Sequence, residues 1–304
     1  VKHIDNTLIL WRSTTQWIGG LYFLFSIILL IGIFDNNLKK SLTNFLSFDT
    51  NETLKQNLKI LILYTVLTFF IFIVLILIDI RTFDAFNLSM TIISSGGFLP
   101  VNDIDTIIKT NLQKFILSIL LLISFYSLYA SYNLVNIKKK NLNFFTEDIY
   151  LSIYLFLIII IFFVFFNNDN NFTSIFFAIT SSVSNVGISL KDTPSNLNFL
   201  FILLVIIGGS FFSTSSGLRF LRLYALFKYS INELLSHAKP KNVYIHKFYL
   251  SEIEVDKSDL NKYFLSVLIF LVSLFSITFL LTLSDINIEE AFKLGILTLM
   301  NTVN

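Results

Sequence analysis

Between Lys59 and Asp79 the chain runs nineteen residues without a charge, nearly all of them Leu, Ile, Val and Phe. Crossing a hydrocarbon core of about 30 Å takes roughly 20 apolar residues in a helix, and in lipid every backbone polar group needs an internal partner. Such a run reads as a membrane-spanning helix. Residues 18–34, 58–80, 115–135, 149–166 and 264–283 all read the same way. Only 14% of the 304 residues are charged, and mean hydropathy is +0.75. A soluble domain averages about 25% charged, so this chain lacks the charges to cover a water-facing surface.

Other segments are too short to cross. Residues 83–93, 172–183 and 288–300 each follow a full span and lead into a Ser/Thr/Gly/Asn-rich stretch. They open on related elements, Asp84-Ala85-Phe86, Asn171-Phe172-Thr173 and Glu290-Ala291-Phe292. This predicts an internal repeat of span, short re-entrant helix, polar loop and second span. Residues 199–207 make half a span before the run Gly208-Gly209-Ser210-Phe211-Phe212-Ser213-Thr214-Ser215-Ser216-Gly217, after which helix-forming sequence resumes at Leu218. Irregular backbone at membrane depth is tolerated where protein or a water-filled cavity covers it. The alternative is two interfacial helices joined by an exposed loop.

Lys and Arg give the orientation. Residues 35–59 hold four, 136–148 three and 219–262 eight of the chain's 22, all in alternate connections. The intervening connections hold Arg81, Lys109, Lys114, Lys191 and Lys293. The positive-inside rule puts the first set in the cytoplasm, so the re-entrant loops open to the outside.

A helix entering from outside points its partially negative C-terminal end toward the pore centre. The loop after it can aim carbonyls at an ion in place of water. Small, neutral residues suit that task, and no carboxylate sits inside these loops. Eight of the ten glycines fall in such motifs, at Gly19-Gly20, Gly96-Gly97, Gly187, Gly208-Gly209 and Gly217; close helix packing is the competing use of a Gly pair.

Several chemistries are excluded. There is no cysteine, hence no disulfide framework or thiolate metal site. His3, His237 and His246 form no metalloprotease motif, and no phosphate-binding G-x-x-x-x-G-K-[ST] occurs. A net charge of +2 gives no case for nucleic acid. No cofactor is expected. A membrane enzyme would need His, Asp or Glu within its spans, which are nearly free of them. No signal peptide is read at the start of the chain.

Trp11-Arg12-Ser13 with Gln16-Trp17-Ile18-Gly19-Gly20 resembles the helix after the first filter of TrkH/KtrB-type potassium transporters. Ser94-Ser95-Gly96-Gly97-Phe98, followed by Pro100, resembles the second filter, and Ser184-Asn185-Val186-Gly187-Ile188 the third. Gly208–Gly217 with Arg219 and Arg222 is similar to that family's broken helix and its basic sequel. The resemblance covers essentially the whole chain. It implies an all-α polytopic membrane protein of M1–P–M2 units around a central pore.

On this mapping residues 1–34 are the second span of unit one, 58–135 unit two, 149–230 unit three and 262–304 a unit four that stops in its filter. Residues 35–57, 136–148 and 231–261 are cytoplasmic linkers. The chain is then a fragment lacking the first filter and last span. The resemblance implies K⁺ at Ser95, Gly96, Gly97, Phe98, Asn185, Val186, Gly187, Ile188, Asn301, Thr302 and Val303. It implies a gating loop of Gly208, Gly209, Ser210, Ser213, Thr214, Ser215, Ser216 and Gly217, with Arg219 and Arg222 beside it. Positive-inside anchoring is the plainer use of those two arginines. The implied function is K⁺ uptake at the cell's inner membrane, by a homodimer with a cytoplasmic nucleotide-binding regulatory subunit of the TrkA/KtrA kind. The sequence departs from the family at Asn185-Val186-Gly187-Ile188, where threonines and an aromatic are usual, and at Val303-Asn304, where a glycine is expected. A Na⁺-permeable or non-transporting relative is the alternative.

Overall fold

The computed structural model of the chain describes residues 5–34, 53–101, 103–128, 146–166, 172–191, 198–238, 249–250, 253–254 and 257–302. Its helices are α1 (Asn6–Phe34), α2 (Thr53–Leu77), α3 (Thr82–Ser94), α4 (Asn111–Phe125), α5 (Thr146–Phe166), α6 (Phe172–Val183), α7 (Asn198–Ile206), α8 (Phe220–Ala238), α9 (Lys257–Thr282) and α10 (Ile288–Leu299). Two two-residue pairings are the strand content of the described residues: β1 (Ile207–Gly208) with β2 (Leu218–Arg219), and β3 (Tyr249–Leu250) with β4 (Ile253–Glu254). The chain is an all-α, multi-pass membrane fold.

Stretches within α2, α5 and α9 are long and apolar enough to cross a membrane. On α9 the outward side chains include Phe264, Ile269, Phe275 and Phe279. A helix that presents large apolar groups to its surroundings is stable where those surroundings are not water. The short helices differ. On α6 every side chain from Ser174 to Val183 is buried, so this stretch lies inside protein although it carries four hydroxyls.

Packing sets each short helix between two spans, and α3 and α6 also touch the inner helix of their own unit, α4 and α7. The outer span of its own unit covers one side: α2 against α3, α5 against α6, α9 against α10. The inner helix of the preceding unit covers the other: α1 against α3, α4 against α6, α7 against α10. The largest core, around Leu24, Tyr64, Leu88, Ile92 and Leu121, seals the α1–α4 part of this arrangement.

Two helices differ most from their sequence-based limits. Helix α1 starts at Asn6, twelve residues before the predicted span, so Arg12 and Gln16 lie within it. Helix α4 starts at Asn111 and stops at Phe125, ten residues short of the predicted end. A capping box between Thr110 and Gln113 fixes its start, and Gln113 also donates to the Ile78 carbonyl at 2.8 Å. At its end Tyr126 is extended, and the Ser124 and Phe125 carbonyls accept from the N–H groups of Ser215 and Ser210. Those carbonyls serve the polar loop instead of a further helical turn, so the second span of unit two is broken at this point. The predicted remainder, 129–135, and Lys138 to Lys140 lie outside the described residues.

Candidate functional site: three pore loops above an intramembrane loop

The three short helices end in the same turn. Ser95, Asn185 and Asn301 have φ of 52°, 58° and 52°. Their N–H groups donate to Ile92, Ser182 and Thr298, three residues back. The next N–H, of Gly96, Val186 or Thr302, donates five residues back to Thr91, Ser181 or Leu297. Two positions after the first turn residue the backbone is left-handed again, at Gly97 (φ 76°) and Gly187 (φ 71°). A non-glycine residue there costs about 1–2 kcal/mol. Val303, the corresponding residue of the third loop, lies outside the described residues, as does Asn304.

The same register corrects one sequence assignment. Ser95 matches Asn185, so Asp84-Ala85-Phe86 corresponds to Ser174-Ile175-Phe176, three residues after the element read from the sequence. The buried middle residues agree: Ala85, Ile175 and Ala291. Units two and four match further back as well, since Asp79 and Asp285 both turn left-handed, at φ 64° and 62°. Sixteen residues separate each from its pore-loop turn.

Hydroxyls brace the loops from behind. Thr91 Oγ1 donates to the Phe98 carbonyl at 2.8 Å, and Ser181 Oγ to the Ile188 carbonyl at 2.6 Å. In the loop of unit two, α1 adds a second set. Gln16 Nε2 donates to the Gly96 carbonyl at 2.7 Å, and Gln16 Oε1 accepts from Thr91 at 3.3 Å. Arg12 Nη2 donates to the Leu99 carbonyl at 2.6 Å, with its guanidinium 4.6 Å above the centre of the Phe98 ring. The carbonyls of Gly96, Phe98 and Ile188 are thus engaged by protein. Gly96 and Gly97 serve different ends. A Cβ on Gly96 would stand 2.5 Å from Gln16 Cδ, so Gly96 is needed for close approach, whereas Gly97 is needed for its φ.

The run 208–217 folds into a loop pinched at its base. Ile207 pairs with Leu218 and Gly208 with Arg219, in parallel. Arg219 is nine-tenths buried, and its Nη1 donates to the carbonyls of Ser210 (3.0 Å), Ser213 (3.4 Å) and Ser215 (2.8 Å) and to Ser213 Oγ (3.1 Å). Arg219 therefore holds the loop's shape from inside. Arg222 lies in the first turn of α8, and its Nε is buried with no hydrogen bond among the described residues.

The loop touches the C-terminal end of every described pore helix. Thr214 Oγ1 donates to the Ile93 carbonyl at 2.8 Å and lies 3.4 Å from Ser95 Oγ. Asn185 Nδ2 donates to Ser216 Oγ at 2.8 Å and to the Val205 carbonyl at 3.1 Å. Ser216 Oγ donates in turn to the Met300 carbonyl. The exposed-linker alternative does not fit these contacts. The loop's other flank is held by acids that the sequence reading left in a linker. Glu147 Oε1 accepts from the Phe211 N–H at 2.8 Å and its Oε2 from Ser210 Oγ at 3.3 Å, while Asp148 Oδ1 accepts from the Ser127 N–H at 3.2 Å. The signal for them was two adjacent carboxylates opening an apolar span, since ionisable groups at membrane depth are costly and usually have a task. Among the described residues no cluster of metal-ligating side chains occurs.

Repeated span–pore helix–span units meeting over a polar intramembrane loop define a multi-pass membrane protein with pore-loop architecture. The crystal structure of the potassium transporter TrkH from Vibrio parahaemolyticus has this fold, matching with a TM-score of 0.83 at 16% identity over 98% of this chain and 64% of that one. In sequence the chain is similar to an uncharacterized cation transporter of Methanocaldococcus jannaschii, 24% identical over 281 residues, covering 86% of this chain and 54% of the relative. The chain thus spans about half the length of the curated relative it matches. No family model matches it. The fold implied by the TrkH/KtrB resemblance is the fold observed.

Proposed function

We propose that the chain forms the greater part of a potassium uptake protein, in which 94–98, 184–188 and 301–303 are three of four filter loops and 208–217 is the gate beneath them. The observation that carries this reading is the threefold recurrence of one left-handed turn at the ends of pore helices that share contacts with one loop. Helix ends of that kind attract cations, and loop carbonyls free of protein partners can replace an ion's water. The likeness to a potassium transporter and to a cation transporter supports the substrate class.

Inward movement of a monovalent cation gains about 2.3 kcal/mol per 100 mV of membrane potential, so uptake needs no nucleotide site in this chain. The polar segment Asn232–Asp259, cytoplasmic by the charge rule, is the surface proposed for a nucleotide-binding regulatory subunit, and a homodimer in the inner membrane is the proposed assembly. The full-length protein in proteoliposomes should take up rubidium under an inside-negative potential, with sodium a weak competitor. Equal uptake of both ions assigns the Na⁺-permeable alternative. Uptake of neither by folded protein overturns the proposal.

A further inference from the structure

The loops of units two and three are built alike but held differently. In unit three, Val186 stands where Gly96 stands in unit two; its side chain is buried in the apolar core, and among the described residues no side chain donates to its carbonyl. In unit two the matching carbonyl is gripped by an amide from another repeat. Gln16 lies on α1, eighty positions away in sequence, and uses both ends of its side chain on this one loop: Nε2 on the Gly96 carbonyl at 2.7 Å, Oε1 on the Thr91 hydroxyl at 3.3 Å. That hydroxyl donates at 2.8 Å to the Phe98 carbonyl. One amide therefore fixes the Gly96 carbonyl directly, while the single Thr91 proton goes to Phe98 and only a longer, shared contact ties it to Gln16 Oε1.

We infer that Gln16 is a positioning residue for ion selectivity: it turns the Gly96 carbonyl toward α1 and keeps it out of the ion-coordinating set of this loop. The inference rests on reading 94–98 as an ion filter. Four features converge on it. A Cβ at 96 would stand 2.5 Å from the Gln16 amide, so any larger residue there displaces that amide from the loop. Arg12, one turn earlier on the same face, holds the Leu99 carbonyl at 2.6 Å, so α1 grips the strand beyond the loop as well. Helix α1 cannot drift away, because Trp17 Nε1 donates to Thr68 at 2.9 Å and Tyr64 donates to the Trp17 carbonyl at 3.2 Å. Gly20 lets α1 approach α3, since a Cβ there would stand 2.9 Å from that of Ser94. A peptide plane held by a pinned helix has a fixed orientation. Released, the Gly96 carbonyl is free to rotate into the ion path and add a ligand that does not match the other loops.

The test is paired rubidium and sodium uptake by the full-length protein in proteoliposomes, comparing the parent with Gln16→Leu and Gln16→Glu. Leu removes both hydrogen bonds. Glu keeps the shape and the acceptor for Thr91, but an ionised carboxylate cannot donate to Gly96. Both variants should lower the rubidium-to-sodium uptake ratio by roughly threefold to tenfold at equal protein level, the scale on which one hydrogen bond moves an equilibrium. A purely structural role would lower yield and leave the ratio unchanged, and that result in Gln16→Glu overturns the inference even if Gln16→Leu does not reach the membrane. A parent that carries neither ion overturns the filter reading instead, and this inference with it.

Discussion

Thr214 Oγ1 donates to the carbonyl of Ile93 across 2.8 Å, joining the middle of the intramembrane loop to the end of a pore helix. That carbonyl belongs to the partially negative helix terminus that would otherwise face a cation. A hydroxyl proton now occupies it, so with the loop in this position the carbonyl is not free for water or a cation. Thr214→Val keeps the side chain's shape and removes the bond. Rubidium uptake should rise, with a stability loss of about 0.5–1.5 kcal/mol. Unchanged uptake at equal yield would remove the loop from the conduction path.

Arg219 makes all its loop contacts through one nitrogen, to three carbonyls and a hydroxyl. Arg219→Gln should leave buried carbonyls unpaired and lower thermal stability by an amount on the order of 2–5 kcal/mol, with raised cation leak. Arg219→Lys should recover only part of this, because the Lys side chain is one bond shorter and its ammonium falls short of the place from which Nη1 serves these acceptors. Full recovery by Lys, in both melting temperature and leak, would show that charge alone matters at this position.

Gly96 and Gly97 should fail in different ways. Gly97→Ser places a side chain at φ 76°, at a cost on the order of 1–2 kcal/mol, and should alter the rubidium-to-sodium ratio in folded protein. Gly96→Ala collides with Gln16 and should lower yield. Adding Gln16→Ala should restore the yield of Gly96→Ala without restoring selectivity. If the second substitution gives no recovery of yield, the close contact is not what requires glycine at 96.

The orientation can be read by single-cysteine labelling, since these 304 residues contain no cysteine of their own. Lys109→Cys should react with a membrane-impermeant maleimide from outside. Ser230→Cys, exposed on α8, should react only in inverted vesicles. Labelling of position 109 from the cytoplasmic side would reverse the topology.

Much of the architecture was legible because lipid imposes few solutions. The span in α5 and the re-entrant helix α6 follow directly from apolar length, and the polar loops follow from the glycines. The end of α4 was hidden, because residues 126–135, although richer in Tyr, Ser and Asn than the helix before them, carry no charge, Gly or Pro to mark a break. Only the tertiary demand of Ser210 and Ser215 for its last carbonyls stops it. The repeat register slipped by three at Asn171 for a related reason. Composition recurs along that helix, while the left-handed turn that fixes the register is a backbone property. Among the site residues, loop glycines announce themselves. Gln16 acts through partners 75 and 80 positions away, which no local pattern marks, and Glu147 is marked only by its place at the head of an apolar span.

The parallel pinch of Ile207 with Leu218 and Gly208 with Arg219 ties both ends of the intramembrane loop to the same point. A segment anchored at one end can swing aside like a door on its hinge. A segment anchored at both ends can only change its own contour, and its travel is bounded by its contour length. Whatever moves 209–217 therefore need not part α7 from α8 or disturb the outer spans. The cost of such a movement is confined to a few hydroxyl and carbonyl contacts, a scale of energy that the binding of one ligand is able to supply.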